Sequence, residues 1–258
     1  ACTCKACTST DTRDKRLRTS ILIEQENRNL LIDCGPDFRQ QLLREQITHV
    51  DAILFTHEHN DHIIGLDDVR PFTLRQNRDM PLYASQRVLD SLKSRFSYAF
   101  AKKKYAGSPS FELHIIDKDT PFSVNGFHII PIEALHGKLP ILGFRIGSFT
   151  YLTDVKYMSE TEKAKVKGSE TIVLSALRRH EPHWSHLNLP EALALLEEWQ
   201  PKRAFITHLS HKMGKHSDIQ QLLPSYVQVA YDGLAIEVQS FFCYIVAKAS
   251  ASTNSLYN

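Results

Sequence analysis

Three imidazoles and a carboxylate stand within six consecutive positions of Thr56-His57-Glu58-His59-Asn60-Asp61-His62. Neutral imidazole and carboxylate are borderline ligands, suited to Zn²⁺ and tolerable for Mn²⁺ or Fe²⁺, and the spacing fits a dinuclear site better than a polar loop. A second group of donors opens the chain, where Cys2, Cys4 and Cys7 supply three of the five cysteines. Thiols this close make a poor disulfide framework in a chain of this size, whereas a structural zinc, which takes four protein ligands and no water, needs three thiolates and one partner from a distant segment. Nine of the thirteen histidines gather at 57–62, 180–186 and 208–216, which again points to metal chemistry.

The elements that must position these groups share one feature. An apolar, strand-like run, Asp51 to Phe55, ends at the histidine cluster, and a loop leaving a buried strand is anchored yet accessible. His136 follows the run Phe127 to Ile132, Asp154 follows Tyr151-Leu152-Thr153, and His208 follows Ala204 to Thr207. Strand ends on one edge of a sandwich converge, so these three residues are expected to join His57, His59, Asp61 and His62 in one pocket. Other expected strands are Ser20 to Glu24 and Asn29 to Asp33, forming a hairpin, then Gly126 to Ile132, Leu142 to Ile146, Thr171 to Ser175 and Ala235 to Val238. Asp37 to Arg44, Arg87 to Phe96 and Asp218 to Leu223 read as helices. Leu187 to Trp199 is the clearest helix, with Leu189, Leu193, Leu196 and Trp199 at three- and four-residue steps behind Asn188 and Pro190.

With 258 residues the chain can bury a sizeable core as one domain. The net charge of +2 supplies no global field toward nucleic acid or an anionic membrane, so nucleic acid is not an expected partner. No apolar run approaches the ~20 residues that span a bilayer, and no secretory segment stands at the N-terminus, so a cytoplasmic protein is expected.

The ordered set His57-x-His59-x-Asp61-His62, then His136, Asp154 and His208, resembles the ligand set of metallo-β-lactamase-fold hydrolases. The resemblance implies an α/β fold, a four-layer αββα sandwich, holding two catalytic divalent metals, Zn or Mn. It implies one metal on His57, His59 and His136, a second on Asp61, His62 and His208, and Asp154 bridging the pair. His59, where flavodiiron relatives carry glutamate, argues against that oxygen-reducing branch.

Cys2-x-Cys4-x-x-Cys7, Arg16-x-Arg18-Thr19-Ser20 and Thr207-His208-Leu209-Ser210-His211 are similar to the PhnP-like cyclic phosphodiesterases. That branch implies a structural Zn on Cys2, Cys4, Cys7 and His211, with His216 as the fallback fourth ligand. His186, just before the helix at 187–199, matches the histidine that serves there as general acid, and an unperturbed imidazole pKa of ~6.5 suits proton donation near neutrality. The implied reaction is hydrolysis of a small phosphodiester such as ribosyl 1,2-cyclic phosphate by a metal-bridging hydroxide, with Asp61 also orienting the nucleophile. Arg18 and the lysine loop at 102–104 read first as solvated surface. A ribonuclease Z-like tRNA 3′-processing nuclease, a thioester-type hydrolase and an inactive zinc-binding scaffold are the alternatives, and a homodimer stays open. Relatives usually begin with a strand and a Gly-Thr-Gly-rich loop before the cysteines, so the chain is expected to be a fragment. The hydrolase domain is placed at 1–238, and 239–258 is expected to be a tail, either an edge strand or disordered.

Overall fold

Alternate residues of the first strands belong to different cores. Ile21 and Ile23 face one apolar cluster while Leu22 faces another, and Leu30 and Ile32 face the first while Leu31 faces the second. A period of two with apolar residues on both faces is the signature of a sheet covered on both sides. The computed structural model describes residues 1–238 and 241–245. Strands β1 (Ile21–Gln25), β2 (Arg28–Ile32), β3 (Ala52–Leu54), β4 (Met80–Ala84) and β5 (Phe111–Ile115) form most of the first sheet. The second holds β6 (Phe122–Val124), β7 (Phe127–His136), β8 (Leu139–Ile146), β9 (Phe149–Leu152), β10 (Thr171–Ser175), β11 (Arg203–Thr207) and β12 (Val227–Val229). Strands β13 (Ala235–Val238) and β14 (Phe241–Ile245) return to the first, giving the orders β13-β14-β1-β2-β3-β4-β5 and β12-β11-β10-β9-β8-β7-β6.

The sheets pack face to face through Ile21, Ile23, Phe127, Phe144, Tyr151, Val173 and Phe205. Phe38, Leu42, Val88 and Leu92, from the helices Phe38–Arg44 and Gln86–Arg95, cover the outside of the first sheet. Helix Leu189–Trp199 lays Leu189, Ala192, Leu196 and Trp199 on the second. The result is the expected four-layer αββα sandwich. That last helix starts at Leu189, two residues after the expected Leu187, and ends at Trp199 as expected. Asn188 and Glu191 form a reciprocal capping box and Pro190 occupies the first turn, so the residues just before it, including His186, have a fixed exit.

Sheet direction explains the convergence of strand ends. β9, β10 and β11 run parallel, and β7 is antiparallel to β8, which is antiparallel to β9. The C-terminal ends of β7, β9 and β11 therefore lie on one edge. The chain turns sharply there, with Asp154 and His208 both at φ +56°, in the left-handed region.

Of the two expectations for the segment from 239, an edge strand or a disordered tail, the described part is a strand, set inside the sheet rather than at its edge. Phe241–Ile245 lies between β13 and β1, pairing antiparallel with both, from Val238↔Phe241 on one side and Ile21↔Ile245 on the other. Phe241, Cys243 and Ile245 are buried in the inter-sheet core, so burial and two hydrogen-bonded neighbours, rather than an exposed edge, account for the apolar run. Residues 239, 240 and 246–258 of that expectation lie outside the described residues. Among the described residues no helix is long and apolar enough to cross a membrane.

Candidate metal centre

The strand ends bring all seven expected ligands together. Atoms of His57, His59, His136 and Asp154 lie within 4.8 Å of one another, and those of Asp61, His62 and His208 form a second such group. Asp154 links the two. Its Oδ2 is 3.6 Å from His57 Nε2 and 3.4 Å from His62 Nε2, and its Oδ1 is 3.0 Å from His208 Nε2. Asp61 Oδ2 lies 3.8 Å from His62 Nε2 and 3.7 Å from His208 Nε2.

Hydrogen bonds at the other ring nitrogens orient the imidazoles. His136 Nδ1 is 2.8 Å from the Ser185 carbonyl oxygen, which can only accept, so Nδ1 carries the proton and Nε2 presents a lone pair. His62 Nδ1 is 2.7 Å from Asp33 Oδ2. Its Nε2 is buried without a hydrogen-bond partner among the described residues, facing two carboxylates. A buried ring nitrogen between two carboxylates is the orphan position that a cation satisfies, and the donors present fit a pair of divalent ions.

Charge within the site follows the same geometry. Burial alone lowers His208, but Asp154 and Asp61 overcome it and raise its pKa to about 9. Burial likewise opposes His62, which Asp154 and Asp33 hold well above the ordinary imidazole value. Asp154 stays well below the carboxylate range, because the facing His208 and His62 outweigh its desolvation. Without metal, these carboxylates favour protons on His208 and His62.

Asp33 escaped the sequence reading. It is fully buried, and besides meeting His62 it accepts from the backbone N–H of Thr56 at 2.9 Å and from the Thr56 hydroxyl at 2.8 Å. The stretch Asp33-Cys34-Gly35 is bonded to the histidine loop, Cys34 N–H donating to the His62 carbonyl at 2.7 Å. Gly35 and Gly65 permit this approach, since a Cβ would stand 2.2 Å from the Asp61 carbonyl oxygen at the first and 2.1 Å from the Gly35 carbonyl oxygen at the second. The Asp33-Cys34-Gly35-Pro36 run after β2 was the signal, and Asp33 was read only as the end of the strand Asn29 to Asp33. Glu58 leaves the cluster to pair with Arg87 at 3.0 Å.

His186, itself buried, stands beside the same donors, its ring centroid 4.4 Å from that of His136 and 5.2 Å from that of His208. Burial lowers its pKa to about 3, far from the unperturbed value on which the donor role was argued, so it faces an incoming ligand as neutral imidazole.

The thiols form a separate cluster. Cys2, Cys4, Cys7 and His211 offer ligand atoms within 4.8 Å of one another, with His211 Nδ1 3.2 Å from Cys2 Sγ and 3.5 Å from Cys4 Sγ. A backbone hydrogen bond at Cys7 and the His211 ring lower the Cys4 thiol to about 6, while the shared hydrogen bond with Cys4 raises Cys7 to about 11. His216, the fallback ligand, lies elsewhere, its backbone N–H donating to Asp14 and its ring edge-on to Tyr231. Arg16 clips the N-terminal segment to the turn after β11, donating to the carbonyls of Ser210 at 3.0 Å and Gly214 at 2.7 Å.

Comparison with known proteins agrees with this architecture. Residues 28–209 match the Beta-lactamase superfamily domain. A solved diphosphatase from the PhnP family superposes with TM-score 0.84 and 37% identity, covering 91% of this chain and 89% of that one. Zn²⁺-bound PqqB from Methylobacterium extorquens has the same fold, with TM-score 0.70 and 18% identity over 92% of this chain and 94% of its own. Among curated proteins, an octanoyltransferase of Porphyromonas gingivalis is 40% identical over 234 residues, which are 90% of this chain and 47% of that protein. The coenzyme PQQ synthesis protein B of Xanthomonas axonopodis is 31% identical over 147 residues, 53% of this chain and 46% of its own. The chain thus spans about half the length of the curated relatives it matches. Strand order, the clustered donors and these matches agree that the chain belongs to the metallo-β-lactamase superfamily, close to its PhnP family.

Proposed function

We propose that the chain is a dinuclear-metal hydrolase of small phosphodiesters. The observation that carries this reading is Asp154, placed between two groups of donors, with His186 beside both. His57, His59 and His136 would hold one divalent ion, Zn or Mn, and Asp61, His62 and His208 the other, with Asp154 between them. Bound there, the ions supply Lewis acidity and make water acidic enough to act as a nucleophile near neutrality. Asp33 and the Ser185 carbonyl hold His62 and His136 in their ligand tautomers. Asp61, partly exposed beside His62 and His208, would also serve as an acceptor that orients the attacking water. His186 would donate to the departing oxygen, a role that requires the bound substrate to hold a proton on an imidazole that burial keeps neutral in the free site.

Two dications set against Asp61 and Asp154 leave a positive centre, complementary to a phosphodiester monoanion. The PhnP-family likeness, to a protein named a diphosphatase, supports phosphoryl chemistry over thioester or lactam hydrolysis. Ribosyl 1,2-cyclic phosphate is one substrate within this class. The clustered free thiols favour a reducing, cytoplasmic setting and a structural zinc, and a homodimer is compatible with the reading. The test is hydrolysis of bis(p-nitrophenyl) phosphate and a panel of cyclic phosphates by Mn²⁺- or Zn²⁺-loaded protein, with pre-tRNA and an acyl thioester alongside. Diester cleavage lost in Asp61→Ala and His186→Ala, with circular dichroism unchanged, is expected; turnover of pre-tRNA or thioester alone would overturn the proposal.

A further inference from the structure

The chain has two tryptophans, and their surroundings differ. Trp199 is buried under the second sheet, whereas Trp184 is 75% exposed, two residues from His186. An exposed indole costs apolar hydration, yet this one is held in place. Gly137 follows His136 at φ +64°, and a Cβ there would stand 2.2 Å from Cζ3 and 2.7 Å from Cε3 of the Trp184 ring. The absence of a side chain at 137 is therefore the seat on which the indole rests. On the metal side the indole lies nearly parallel to the His136 imidazole, centroids 6.5 Å apart and planes 26° apart, and His183 stacks against it at 6.2 Å and 29°.

The loop carrying the indole is itself tied down. The Ser185 carbonyl meets His136, Ser185 N–H donates to His183 Nδ1 at 3.3 Å, and Leu187 N–H donates to the Val155 carbonyl at 2.9 Å. Trp184 thus keeps a fixed distance from the donor cluster. A flat, polarisable surface at the rim of a positive centre suits a ligand with a charged phosphate and a planar ring, joined by a linker the size of a sugar. Base-on-aromatic stacking of this kind tolerates any base, because every base has a π-face.

We propose that Trp184 is a stacking subsite for a nucleobase, which makes nucleoside phosphodiesters, rather than base-free sugar phosphates, the preferred substrates of the site. The inference rests on the phosphodiesterase reading, naming its substrate class. It also separates substrates within that class, since ribosyl 1,2-cyclic phosphate has no ring for the indole to hold.

Two measurements test it. In Mn²⁺-loaded protein, titration with adenosine 5′-monophosphate should quench tryptophan emission, ribose 5-phosphate should not, and the quench should vanish in Trp184→Ala while buried Trp199 still emits. The ratio of kcat/KM for adenosine 2′,3′-cyclic phosphate to that for ribosyl 1,2-cyclic phosphate should fall about tenfold in Trp184→Ala, mainly through KM, and recover in Trp184→Phe. Equal quenching by both monophosphates, no quenching by either, or an unchanged ratio would overturn the subsite. Quenching by the nucleotide alone, in a protein that cleaves no diester, would sustain the subsite and sink the phosphodiesterase reading. Diester cleavage without quenching would do the reverse.

Discussion

Asp33 Oδ2 lies 2.7 Å from His62 Nδ1, and both side chains are buried. The pair joins two loops, since Asp33 leaves β2 in a left-handed turn at φ +64° and His62 closes the short helix Asn60–Ile63. A ligating imidazole whose far nitrogen donates to a carboxylate is more basic and better oriented. Asp33→Asn should therefore weaken binding at the second metal position by about 10- to 100-fold, with a matching loss of activity at limiting metal. Competition with a chelator of known affinity measures this. Wild-type affinity in Asp33→Asn would show that the carboxylate serves only Thr56.

The two glycines that let the loops approach make a second test. At Gly65 an added methyl meets the Gly35 carbonyl oxygen at 2.1 Å and Phe38 Cβ at 2.9 Å, so backbone rather than a flexible side-chain tip must move. Gly65→Ala should cost about 1–3 kcal/mol, the range for overpacking, seen as a lower urea midpoint. It should also lower metal affinity, because Gly35 presses on the Asp61 carbonyl. An unchanged midpoint would mean that the loops are not in contact.

The grouping of the donors was legible because the segments that carry them follow apolar strands, whereas the sandwich came from the resemblance that the ordered donor set carries. Thr171–Ser175 and Ala235–Val238 appear with the expected bounds. β7 runs on to His136, four residues past its expected end, because its pairing with β8 continues to His136↔Leu139. β4 was missed, since Pro81 interrupts its pattern and its order comes from parallel neighbours distant in the chain. Asp33 was missed for a related reason. Nothing local distinguishes a turn aspartate from one that a left-handed turn points at an imidazole twenty-nine positions away. The pKa of His186 was equally invisible, because it depends on burial by neighbours on other strands.

His208 gives the site a pH dependence whose sign reverses with metal. Its pKa, near 6.5 in an unfolded chain, stands at about 9 in the metal-free fold, where Asp154 and Asp61 outweigh burial. A raised pKa contributes stability that is complete below about 6.5 and lost as pH climbs through about 9. His62 is shifted in the same direction. Chelator-treated protein should therefore melt at progressively lower temperature from pH 6.5 to 9. Metal binding requires the neutral ring and expels the proton, so metal affinity should rise over the same window. Thermal shift with EDTA, and calorimetry in buffers of different ionisation enthalpy, measure the two slopes. A metal-free Tm that is flat or rising across that window contradicts the His208–Asp154 pairing.

The thiol cluster predicts a third metal that is independent of the first two. Cys2, Cys4, Cys7 and His211 together offer four donors, the number a closed structural zinc takes with none left for water. His211 sits three residues after His208, so zinc there would fasten the chain's first residues to the strand end that carries His208, in parallel with the Arg16 contacts to Ser210 and Gly214. Metal analysis should find three ions per chain in wild type and two in Cys4→Ser. The variant should unfold at lower denaturant, since metal bound only by the folded state stabilises it by mass action. Its catalytic metals should stay in place, because no cysteine lies in either donor group at the strand ends. Two ions in wild type would remove the structural zinc, while loss of all metal from Cys4→Ser would show that the turn at 208–211 holds both sites as one unit.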